Sequence, residues 1–183
     1  MDNHRENKIE EILRKAWNLR GQGNYNESRL MLEEAEKLVH KDEYAFLARI
    51  SHIHSQYARD HNELQRSLKL ELQTIQLYHK AKQKKRIAHA QRHVADIYRE
   101  LKEFAMANDY YQRALNIYQE LELVHSPDYA NCLRGIALLH QETNQSKRAL
   151  EYWKSILLVY QEHNFKEGVQ EAQNSIHFIE NQE

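Results

Sequence analysis

The chain has 183 residues, with 26 basic against 27 acidic side chains and a formal net charge of -1, so no whole-molecule field draws it to nucleic acid or to an anionic membrane. Four glycines and one proline supply too few turns for a sheet protein of this size, and a single cysteine excludes an internal disulfide or a cysteine-built metal cage. Ala, Leu, Glu, Gln, Lys and Arg, the residues that lose least on entering a helix, dominate, and the chain reads as one all-α domain over 1–183.

In chain order, the first eight residues are polar and lack the apolar core of a secretory signal, and no window approaches the roughly 18 apolar residues of a membrane span. A cytoplasmic address is expected, and the lone Cys132 fits a reducing compartment as a small core residue. Helices are expected near 5–22 and 24–39, parted by Gly21-Gln22-Gly23-Asn24, then near 43–60 and 62–82, and near 85–102 and 104–122. Ser126-Pro127-Asp128 introduces helices near 127–144 and 146–162. A ninth helix near 165–181 carries Phe165, Val169, Ala172, Ile176 and Ile179 at helical spacing, which suits a cap over the preceding helices.

One pattern recurs four times. A short turn precedes Tyr25, Leu64, Phe104 and Ser146; three residues on stand Ser28, Ser67, Ala107 and Ala149; seven further on stand Ala35, Thr74, Ala114 and Ile156. The small anchors are 39, 40 and 42 residues apart. Residues seven apart share a helix face, and small ones let a partner helix approach closely. Each repeat is therefore a helical pair, with a first-helix stripe clearest in Ala90, Val94, Ala95, Ile97 and Tyr98 and in Leu133, Ile136, Ala137 and His140. A single pair cannot bury both stripes, so pairs must stack.

These residues resemble the tetratricopeptide repeat family over about residues 9 to 160. Ala95, Tyr98, Phe104, Ala107, Tyr111 and Ala114 stand where that family carries its signature. Repeats longer than the usual ~34 residues are similar to those of kinesin light chains and Rap-type regulators, and His125 to Leu139 resembles the start of a kinesin light chain repeat. The sequence departs from that pattern at Ser126, at Arg134-Gly135 and at Glu71, which takes a usually apolar position.

The resemblance implies an α-α superhelix of four helical pairs with a C-terminal capping helix, whose first helices line a concave groove that binds a protein or peptide. Carried onto this sequence, the groove comprises His89, Arg92, His93, Asp96 and Arg99 in the third pair, Asn131, Arg134, Leu138 and Gln141 in the fourth, and Leu13, Arg14 and Trp17 in the first. In the second pair the register is ambiguous by one residue, leaving His52, Ser55 and Arg59. Arg92 and Arg134 are the leading candidates, because arginine holds acidic groups through charge-assisted, partly bidentate hydrogen bonds. The plainer alternative is ordinary ion pairs with Asp96 and nearby Glu residues. The carboxylate clamp of some family members is not recognisable.

Twelve histidines stand out, and His89 with His93 has i, i+4 spacing. No complete ligand set accompanies them, so no metal and no cofactor is expected. The run from Lys80 to Arg86 reads as a solvated connector rather than a phosphate or acidic-partner site, for no aromatic is interleaved. Tyrosines at 78, 98, 110, 111, 118, 152 and 160 read as core, Tyr111 and Trp153 being equivalent positions. There is no phosphate loop or nucleophile elbow, so a non-catalytic scaffold or adaptor is expected. A peptide- or metal-responsive sensor and a homo-oligomeric assembly module, as a homodimer, stay open as alternatives.

Overall fold

The computed structural model describes residues 2–181 and is all-α: among the described residues there are nine helices and no strand. They are α1 (Asp2–Gly21), α2 (Tyr25–Leu38), α3 (Tyr44–Asp60), α4 (Leu64–Lys80), α5 (Lys84–Glu100), α6 (Phe104–Glu120), α7 (Pro127–Glu142), α8 (Ser146–Glu162) and α9 (Lys166–Glu180). Every boundary falls within a turn of its expected place. No helix among the described residues is long and apolar enough to cross a membrane.

The turns explain how so few glycines suffice. A left-handed residue ends α1 (Gly23), α3 (Asn62), α4 (Lys82), α5 (Lys102), α6 (Glu122), α7 (Asn144) and α8 (Asn164). After α3, Glu63 N–H donates to the Ala58 carbonyl (2.8 Å) and Asn62 N–H to that of Arg59 (2.9 Å), satisfying carbonyls the helix end would orphan. The same pair of bonds recurs after α4, α5 and α6. Helix α2 instead runs out through Val39 in extended conformation. Helix α7 has a side-chain cap, Ser126 Oγ accepting from Tyr129 N–H, with Pro127 in its first turn.

The described residues divide after Ala90 into two compact units, the division falling inside α5. In the first unit α1 packs on α2 and α3 on α4. Its core joins Ile9, Ile12, Leu13 and Ala16 of α1 to Leu32 and Ala35 of α2 and to Ile50 and Ile53 of α3. Ser28 Oγ donates to the Ala16 carbonyl (2.8 Å), and Ser55 Oγ to that of Ser67 (3.0 Å), so small residues at these contacts also fasten one helix to the next. Arg5 clamps both carboxylate oxygens of Glu43 at 2.8 and 2.6 Å, tying α1 to the start of α3. Each large apolar side chain so buried stabilises by about 1.5–3 kcal/mol, against about 0–1 kcal/mol for an exposed pair such as Lys8–Glu34. The apolar contacts therefore set the packing.

In the second unit α6 packs on α7, α7 on α8 and α8 on α9. Its core is built on fully buried Tyr111, Tyr118, Trp153 and Tyr160 with the small residues Ala114, Ala137 and Ala149. Trp153 Nε1 donates to Gln141 and the Tyr160 hydroxyl to Asn131, so these buried aromatics keep their polar ends satisfied. All eight recurring positions, Ser28, Ala35, Ser67, Thr74, Ala107, Ala114, Ala149 and Ile156, are fully buried. On α9 Ala172 and Ile179 are buried, whereas Phe165 stays exposed with its ring edge-on to Tyr160.

Candidate functional site

In the first unit, helical spacing brings Leu13 and Trp17 of α1 to one side of an opening of about 290 Å³, facing Arg49, His52 and Ile53 of α3. Tyr78 of α4 and Arg86 and His89 of α5 complete its wall. Trp17 is partly exposed; its ring stacks on His52 at 5.6 Å, and the Arg20 guanidinium lies 4.4 Å from its centre. His52 meets His89 edge-on at 5.4 Å.

Glu71, the charged residue at a usually apolar position, explains the attitude of His52. Its carboxylate is fully buried, and His52 Nδ1–H donates to both of its oxygens, at 2.9 and 3.0 Å. A buried carboxylate needs a partner of this kind. The imidazole is thereby held with its face against the Trp17 ring. Burial pushes the Tyr78 hydroxyl pKa up, while the positive charges of Arg86 and Arg49, which line the same opening, pull it down.

In the second unit the expected groove arginines are engaged. Arg92 donates to Asp96 (2.8 Å) and to a ring nitrogen of His93 (2.8 Å), while the Tyr111 hydroxyl donates to the other oxygen of Asp96 (2.6 Å). Burial would push the Arg92 pKa down; the Asp96 carboxylate more than offsets this and holds it up. Arg134 grips Glu171 through two parallel bonds of 2.6 and 2.5 Å, which raise its pKa against the opposing effect of burial. Arg99 pairs with Glu142. Asn131 accepts from Tyr160 and Gln141 from Trp153, so these two amides orient aromatics. Leu138 is half-buried.

Residues 86–162 match the tetratricopeptide repeat family. No curated protein matches it in sequence, but solved structures share the repeat fold. BtubC (BKLC) from P. vanneervenii superposes with a TM-score of 0.72 at 16% identity, covering 97% of this chain and 80% of its own. Aspartyl phosphate phosphatase F from Bacillus subtilis gives 0.74 at 18% identity, over 94% of this chain and 45% of its own. Kinesin light chain TPR-like repeats from Podosopora anserina give 0.64 at 13% identity, over 95% of both chains.

The sequence reading placed Trp17, Leu13, His52 and His89 on a first-helix face, and the first unit brings these four together. Ser55 lies instead inside the α3–α4 pair, where its hydroxyl is satisfied by Ser67. Arg49 and Arg86 were missed. Each stands one turn before a residue that was found, Arg49 before His52 and Arg86 before His89, so extending the same i, i+3 spacing toward the helix N-terminus would have included them.

Proposed function

We propose that this protein is a non-catalytic binding module whose repeats hold a protein or peptide partner on the faces of their first helices. The observation carrying this reading is the half-open cavity of the first unit, where Trp17 is partly exposed beside the arginines and histidines of α3 and α5. An amphipathic aromatic next to guanidinium groups is the composition of a recognition surface, since aromatic and arginine side chains carry most interface energy. Tetratricopeptide repeats generally mediate protein–protein contacts, which supports the same reading for the matched residues.

In the second unit Arg134 is the better handle, for both side chains of its pair with Glu171 are about a third exposed, at 38% and 36%. Arg92 and Asp96 are a poorer handle. Losing one partner of so enclosed a pair leaves an uncompensated charge at a cost of about 3–5 kcal/mol, which would confuse lost binding with lost folding.

The test is affinity capture from native lysate with the intact protein beside a Trp17→Ala, Arg134→Glu variant of equal helicity by circular dichroism. A partner captured by the intact protein and lost from the variant is the expected result. Equal capture by both would move the contact away from the first helices, and recovery of this chain alone would favour self-assembly.

A further inference from the structure

Arg49, on the wall of the first unit's cavity, already holds a carboxylate: its guanidinium pairs with Glu10 of α1, 39 residues away in sequence. The Glu10 side chain is 54% exposed, so this pair is weak and exchangeable. Arg86 borders the same cavity, is exposed, and makes no ion pair among the described residues. The fully buried carboxylate nearby, Glu71, is hydrogen-bonded to His52 and forms no ion pair with either arginine.

Size excludes a large free ligand. About 290 Å³ lies at the bottom of the range of small-molecule pockets, about 300–1,000 Å³, and suits one side chain. Trp17 and Arg49 also wall a second opening of about 360 Å³, bordered by Asn7, Glu10, Glu11 and Arg14. The two depressions adjoin along α1, which gives an extended chain a path past the cavity.

Granted a polypeptide partner, as proposed above, we propose that this cavity receives a Glu or Asp side chain of an extended partner segment, its carboxylate bound between Arg86 and Arg49. Glu10 is the internal occupant that the incoming carboxylate displaces from Arg49. Charge-assisted bonds from two guanidinium groups supply the affinity, and the Trp17 ring bounds the site.

A display library of random short peptides is selected in parallel on the intact protein and on its Arg86→Glu and Glu10→Gln variants, each checked for native helicity and melting. The peptides most enriched on the intact protein are then titrated by fluorescence anisotropy on all three. Enrichment in Glu and Asp is expected, with binding weakened about tenfold or more by Arg86→Glu, the loss of a bond to a charged group, and tightened by Glu10→Gln. Enriched peptides without acidic bias, or affinities unchanged in either variant, overturn the proposal while leaving partner binding itself intact. A protein that enriches no peptide overturns the peptide-binding reading and the acidic pocket with it.

Discussion

At the scale of single residues, two positions that depart from the usual repeat pattern are the ones whose surroundings explain most. Gly135 sits mid-helix, where glycine ordinarily costs about 1 kcal/mol relative to alanine. A Cβ there would lie 2.3 Å from the Tyr111 ring. That ring is fully buried and anchored to Asp96 through its hydroxyl, so it has nowhere to retreat. Gly135→Ala should therefore destabilise despite the better helix former, by about 1–3 kcal/mol for overpacking; a urea titration followed by circular dichroism measures it, and an unchanged midpoint would mean that the ring swings freely. Glu71 is the second case, a buried charge tolerated because His52 meets both of its oxygens.

At the scale of elements, the helices follow from composition and spacing, and their ends follow from left-handed caps. Three caps are asparagines, a legible signal, while Lys82, Lys102 and Glu122 carry none. Lys82 makes no ion pair among the described residues and holds φ +54, where a Cβ is strained by about 1–2 kcal/mol. Lys82→Gly relieves that strain and returns about 0.4–1 kcal/mol through the more flexible unfolded chain. A net gain of up to about 1 kcal/mol is expected, read as a raised unfolding midpoint. A lowered midpoint would show that the lysine side chain contributes more than its backbone costs.

At the scale of the whole molecule, the single cysteine reports on the second unit. Cys132 is fully buried and donates to the Tyr111 carbonyl, and burial pushes its thiol pKa far above the ordinary range. The thiolate is the reactive form, so a thiol reagent such as DTNB should label the native protein orders of magnitude more slowly than the urea-unfolded chain. Fast labelling of the native protein would mean that α7 opens locally. The sequence by itself determined the all-α class, the order of the nine helices among the described residues and the eight buried anchor positions. Those rest on composition and on periodicities of three, four and seven, which are local properties of a helix. Only the tertiary structure decided which charged side chains are spoken for. The Arg92–Asp96 pair, at i, i+4 on one helix, was open to a reading of the sequence, but not that Arg134 meets Glu171, 37 residues on, that Arg49 meets Glu10, 39 residues back, or that Arg86 meets no carboxylate among the described residues. Pairing between residues some 40 apart depends on how helices pack, and that packing is set by buried apolar surface rather than by the charges themselves.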